Sequence, residues 1–232
     1  MGIGILLCAS QLPADPELVL KPFSAAFSVK RNFIPLGELE LKFTLSDTGD
    51  YSYHAHTMPG MLTGLFSGDE ILEESHGRLS GDDIRPLRYH YRDEGGEAEN
   101  TALAFDWDAL EVHTSSGGIT WSQPIAPGTQ DKLSQQLLVR LDLAQGKKHM
   151  AYQVADGGKI KQYRFQVEGK DPIETPYGRL DCLRVKRSKA SRAPDYTIWF
   201  APELNYLPVK IERQRSGRTY RMVLDELREG SD

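Results

Sequence analysis

The sequence predicts a mainly β protein: a large curved antiparallel sheet, half-barrel-like, with one principal α-helix over residues 129–144 against its concave face. Three observations predict it. Short stretches of alternating apolar and polar residues recur from residue 23 to residue 224, at the period of half-buried strands. Turns rich in glycine, aspartate and serine separate them at close intervals. One segment carries the helical period instead. Leu133, Leu137, Leu138 and Leu141 form an apolar stripe within residues 129–144. Thr129 or Asp131 can cap the start of that helix, and Gly146 with Lys147 and Lys148 suits its end.

Taken in order, residues 15–22 carry Pro16 and Pro22 and read as an extended tether. Phe23, Ala25, Phe27 and Val29 alternate along residues 23–30. Leu39, Leu41, Phe43 and Leu45 face one way and Glu40, Lys42 and Thr44 the other, as in a half-buried antiparallel strand. The turn at residues 47–50 sends residues 51–56 back as a hairpin partner. Residues 58–66 hold Gly60 and Gly64 among apolar side chains, where a sheet would bend or bulge. Further short strands are expected over residues 70–79, 87–91, 102–105 and 111–113, with turns at Gly95-Gly96 and at residues 115–118. Beyond the helix, residues 149–154 and 160–168 flank Asp156-Gly157-Gly158, a hairpin signal. Residues 179–186, 197–200, 209–213 and 219–224 complete the strands, and Ser216-Gly217 turns the last pair. The even spacing of turns argues for one domain over residues 23–228.

An apolar content of 39% suffices for a core in a chain of 232 residues. A net charge of −5 argues against nucleic acid as a partner. No apolar run is long enough for a membrane-spanning helix, so an integral membrane protein is not expected. The charge is unevenly spread. Residues 68–111 hold thirteen acids against four arginines, and residues 184–221 hold ten lysines and arginines against three acids. Two strand faces neutralising each other across the sheet would explain this. The alternative is a basic face for anionic lipid headgroups or an acidic partner.

The start of the chain points to export. The apolar run of residues 3–9, then Leu12-Pro13-Ala14 and Asp15, reads as the end of a secretory leader cleaved after Ala14, its basic beginning truncated. Acylation of Cys8 fits less well, because Leu7 stands where a small residue is wanted. Cleavage would leave Cys182 alone in an alternating strand, as a small buried apolar residue.

Phosphate-binding glycine loops, Gly-x-Ser-x-Gly, His-Glu-x-x-His and paired Cys-x-x-Cys motifs are absent from the sequence. His54 and His56 are the weak metal candidates. On a strand both point to one face, opposite Tyr51, Tyr53 and Ala55, and a third ligand would still be needed. Asp106 and Asp108 flank Trp107. Acid–base chemistry would need one of them buried, whereas a core tryptophan with two turn or surface acids needs nothing further.

Several segments together carry a resemblance. They include PLGELELKF from Pro35, GLFSGDEILEESHGRL from Gly64, RPLRYHYRDE from Arg85 and FDWD from Phe105. DKLSQQLLVRL from Asp131, YRFQVEG from Tyr163, TPYGRLDCLRVKR from Thr175 and WFAPELNYLPVKIE from Trp199 continue the series. In this order and spacing the chain, over about residues 23–227, resembles the bacterial exported family "domain of unknown function 3108". The resemblance implies an exported protein of Gram-negative bacteria and brings no catalytic residues with it. The closing pattern also looks like periplasmic lipoprotein carriers of the LolA and LolB type, which wrap a curved sheet around a helix and hold acyl chains between them. That second likeness is an analogy of fold.

These readings converge on a non-enzymatic periplasmic protein whose sheet and helix enclose a groove for a lipid or other hydrophobic ligand. The expected lining is Leu133, Leu137, Leu141 and Trp199, with Tyr163 and Phe165 behind them. The alternatives are an envelope interaction or assembly factor with a packed interior and, third, a cell-envelope enzyme. The expected partner is an acyl ligand or an envelope protein. No cofactor is implied.

Overall fold

The computed structural model of the protein describes residues 20–60, 70–95, 100–189, 196–215 and 217–230. The expected leader, the tether before Leu20 and the bend beyond Gly60 lie outside the described residues. Leu20, expected in the tether, is instead buried in the core, and the Gly230 amide donates to the Pro22 carbonyl at 3.1 Å.

Among the described residues the chain lays down one antiparallel sheet of fourteen strands, curved but not closed into a barrel. The first eight strands are β1 (Phe23–Arg31), β2 (Ile34–Leu45), β3 (Asp50–Pro59), β4 (Ile71–Ser80), β5 (Asp83–Asp93), β6 (Thr101–Asp106), β7 (Glu111–Ser116) and β8 (Ile119–Pro124). The helix α1 (Ser134–Ala144) follows. The last six are β9 (His149–Asp156), β10 (Lys159–Thr175), β11 (Gly178–Lys189), β12 (Tyr196–Ala201), β13 (Leu207–Arg215) and β14 (Arg218–Glu229). Across the sheet the order runs β8 to β1, then β14 down to β9. Each half is therefore a meander of sequential neighbours. The two meanders are joined by one long-range pairing, β1 with β14, from Phe23↔Glu229 to Arg31↔Tyr220.

This order explains the helix. β8 and β9 are the two edges of the sheet, so the chain must travel from one edge to the other, and α1 makes that crossing over the concave face. The curvature brings the edges close together. Gln123 Nε2 on β8 donates to the Gly158 carbonyl in the β9–β10 turn at 2.9 Å. Gly158 has φ +69°, and a Cβ there would run into the Trp121 ring, so only glycine fits this seam.

The strand alternation read from the sequence is the one observed. Phe23, Ala25, Phe27 and Val29 are all buried, as are Leu39, Leu41 and Phe43. The helix differs in its start. It was expected from residue 129 but begins at Ser134, because the backbone of Gln130 is already committed to strand-like pairing. The Gln130 amide donates to the Gln153 carbonyl at 2.9 Å, and its carbonyl accepts from Ala155 at 2.8 Å. The end is as expected. Gly146 adopts φ +79°, and the Gly146 and Lys147 amides return to the Leu143 and Asp142 carbonyls in a Schellman closure. β8 had no counterpart in the sequence reading. As an edge strand it is exposed or half-exposed throughout, so no buried alternation marks it.

Candidate ligand cavity

Asp131 sets the helix on the sheet. Fully buried, its Oδ1 accepts from the Leu133 and Ser134 amides at 2.7 and 2.8 Å, which are two of the first free amides of the helical segment. Its Oδ2 accepts from Ser75 Oγ of β4 at 2.6 Å, and Ser75 Oγ lies 3.2 Å from the Tyr51 hydroxyl of β3. At the other end, Tyr152 of β9 donates to Asp142 at 2.5 Å, and Arg140 Nε donates to the Asn205 carbonyl at 3.1 Å. Burial pushes the Arg140 pKa down to about 10, still leaving it charged at neutral pH.

Burial raises the Asp131 carboxyl from its usual 3.8 to about 6, against the opposing pull of its hydrogen bonds. In the unfolded chain it would titrate near its usual value. Between these two pH values the native state holds a proton that the unfolded state does not, so stability rises as pH falls through this window. Asp131→Asn removes that dependence. Chemical denaturation at pH 7 and at pH 4 should show the wild type gaining on the variant by on the order of 2–3 kcal/mol at the lower pH. A difference independent of pH would contradict the assignment.

The two flanks of α1 meet different surroundings. Leu137 and Leu141 pack into the main core, while Val139 and Leu143 join Met150, Tyr152 and Phe165 in a second cluster. Beside Leu133 and Val139 the packing leaves a cavity of about 240 Å³ between helix and sheet. Phe27, Leu39, Leu41 and Ala55 wall it on one side, and Phe165, Ile198, Phe200, Ile211 and Met222 on the other. Besides Thr57, Gln135 and Gln136, charged groups interrupt the apolar lining at two places. At one, Lys132 Nζ sits 2.9 Å from the Glu73 carboxylate, which also accepts from the Tyr89 hydroxyl at 2.6 Å. Burial opposes the Lys132 charge, but Glu73 more than offsets it and holds the ammonium pKa above its usual value. At the other, Arg187 and Tyr196 line the wall.

Of the residues expected to line a groove, Leu133, Tyr163 and Phe165 line this cavity. Leu137 and Leu141 are 1% and 2% exposed but belong to the packed core instead. Trp199 turns to the opposite face of β12, where its Nε1 donates to Asp171 at 2.8 Å and Lys210 covers its ring at 4.4 Å. The neighbouring Phe200 occupies the wall that Trp199 was expected to form. The alternation of β12 separates these two side chains, but sequence alone does not say which one faces inward.

The remaining candidates lie elsewhere. His54 and His56 project from the convex face. His54 Nε2 is 2.6 Å from Ser52 Oγ, and His56 Nε2 is 2.5 Å from Glu70 Oε1. Among the described residues no three His, Cys, Asp or Glu side chains are grouped as metal ligands. β6 ends at Asp106, whose Oδ1 accepts from the Asp108 and Ala109 amides at 3.1 and 2.8 Å, so this acid shapes a turn. Trp107 stacks on Phe105 and donates to the Pro86 carbonyl at 2.8 Å. Cys182 is buried, and burial pushes its thiol up to about 12, which makes it inert.

The family model DUF3108, described as a protein of unknown function, matches residues 26–225. The chain belongs to the DUF3108 family. The DUF3108 match runs from within β1 to within β14, and every residue lining the cavity falls inside it. No curated protein matches the sequence. Among solved structures the chain is similar to a β-barrel-like protein of domain of unknown function DUF1849 from Brucella abortus. That likeness has 12% identity, covers 91% of this chain and 99% of the other, and has a TM-score of 0.61. LprF from Mycobacterium bovis matches at 11% identity over 90% of this chain and 87% of its own, with a TM-score of 0.29. At 12% identity the Brucella likeness shows the fold shared with this DUF3108 protein.

Proposed function

We propose that this DUF3108 protein is an exported, non-enzymatic binder of a lipid or other hydrophobic ligand, held between α1 and the concave face of the sheet. The cavity is the observation that supports the reading. Protein interiors pack as densely as organic crystals. A partly open space of about 240 Å³ between helix and sheet, lined mostly by apolar side chains, departs from that packing. Ligand sites are concave and mostly apolar with a few polar groups, which describes this lining. Export is supported by the apolar run ahead of Leu12-Pro13-Ala14.

Native mass spectrometry of protein purified without detergent from the periplasm of its host tests both parts. The expected spectrum shows a chain beginning at Asp15 and carrying one extractable acyl ligand. Ligand-free protein in every preparation, retaining Met1, would contradict the proposal.

A further inference from the structure

The large apolar side chains that the fold leaves exposed are not scattered. Among the described residues the three most exposed are Phe33 at 94%, Ile119 at 66% and Ile34 at 48%. Strand register puts all three at one end of the sheet, Phe33 and Ile34 at the β1–β2 turn and Ile119 beside the β7–β8 turn. The β13–β14 turn lies at the same end, because Arg31 of β1 pairs with Tyr220 of β14. Hydrogen bonds fix the tip that carries Phe33. Asn32 takes φ +56°, its amide donates to the Thr219 carbonyl at 2.7 Å, and its Oδ1 accepts from the Thr219 amide at 3.0 Å. Two hairpins from opposite ends of the chain are thereby clasped at their tips.

Around these tips the charge is positive. Lys30, Arg215 and Arg218 are exposed, and none of the three has an ion pair or a side-chain hydrogen bond among the described residues. The carboxylate of Glu212 is already shared by Lys210 at 3.1 Å and Arg221 at 2.8 Å. Glu38 stands further down β2, opposite Ser28. Acids of this end such as Glu70 and Glu94 sit beside β4 and β5, away from both hairpins. An aromatic ring held out in water beside three unpaired cations suits a bilayer that carries anionic headgroups. The ring can enter the acyl boundary while the ammonium and guanidinium groups stay among the phosphates. An acidic protein would engage the same cations but would need a matching pocket for Phe33, which a bilayer does not.

We infer that the tips of the β1–β2 and β13–β14 hairpins dock on an anionic membrane surface, with Phe33 entering the bilayer boundary and Lys30, Arg215 and Arg218 meeting the headgroups. The inference does not rest on the cavity reading, but it gives that cavity a position. Ile211 and Met222, which line it, stand four residues inside Arg215 and Arg218 on the two strands of the docking hairpin. That is about 13 Å along a strand, so docking brings the cavity close to the bilayer.

The test is co-sedimentation of protein purified from its host with vesicles of phosphatidylcholine alone and of phosphatidylcholine with phosphatidylglycerol, at low ionic strength. Partitioning onto the anionic vesicles should be at least about tenfold stronger, since each cation near such a surface contributes roughly fivefold. Lys30→Gln/Arg215→Gln/Arg218→Gln should erase that preference. Phe33→Ser should weaken partitioning onto the anionic vesicles about tenfold or more, the loss of one buried aromatic side chain. Its melting temperature should not change, because residue 33 is exposed. Phe33→Trp should bind as the wild type does and add tryptophan emission that moves to shorter wavelength on the anionic vesicles. Equal partitioning onto both kinds of vesicle, or onto neither, would overturn the inference. Wild-type binding by Phe33→Ser, or unmoved emission from Phe33→Trp, would overturn the insertion of the tip. Retention on immobilised polyglutamate without vesicle binding would assign the tip to an acidic protein and overturn the membrane.

Discussion

Leu137→Ala is expected to lower stability by about 2–5 kcal/mol, the range for large-to-small changes in packed interiors. Leu137 is 1% exposed and sits on the flank of α1 that packs into the main core, away from the residues lining the cavity. Its truncation therefore creates a new void and forfeits contacts the neighbours cannot recover. Val139→Ala makes the instructive comparison. It faces the existing cavity, so fewer contacts are lost and the cost should fall near the lower end of that range or beneath it. Equilibrium urea unfolding measures both. A Leu137→Ala cost below about 0.5 kcal/mol, the size seen at exposed surfaces, would mean that the leucine stripe faces water.

Gly77→Ala should be about as damaging, by overpacking rather than by a void. Gly77 sits at the bulge of β4 opposite Tyr51, and a Cβ there would collide with the Arg85 carbonyl and lie 2.7 Å from the Tyr51 ring. One of the colliding atoms is backbone, so the strand itself must shift. The expected cost lies at the upper end of the roughly 1–3 kcal/mol typical of overpacking. The damage would spread, because Tyr51 contacts Ser75, which holds Asp131 at the start of α1. Thermal unfolding of Gly77→Ala beside Gly81→Ala resolves the cause. Gly81 has φ +58° but open space around its Cβ position, so that change carries only the backbone penalty. Equal losses in the two variants would contradict the steric account.

Much of this architecture was legible in local pattern. Phe23 to Val29 and Leu39 to Phe43 declare their buried faces by strict alternation, and the leucines of α1 declare a helix by theirs. What escaped was decided by distant chain. The start of α1 depends on Gln130 pairing with β9. β8 lies at an edge and carries no buried face to betray it. The cavity was half legible for the same reason. Leu133, Tyr163 and Phe165 follow from the helix and from one hairpin, but Phe27, Ile211 and Met222 reach the same cavity only through the β1–β14 pairing. The hairpin tips that carry Phe33 and Arg218 likewise meet only through that pairing.

If the space between α1 and the sheet is a ligand site, plugging it should abolish binding. Ala55 lines the cavity from β3 and points inward. N-phenyl-1-naphthylamine titrated into delipidated wild-type protein should bind saturably at one site per chain. Ala55→Trp should fill the space, weaken that binding at least about tenfold and leave the melting temperature unchanged or higher, as cavity filling does. A folded Ala55→Trp protein that binds the fluorophore as well as the wild type, or a wild type with no saturable binding, would contradict the account.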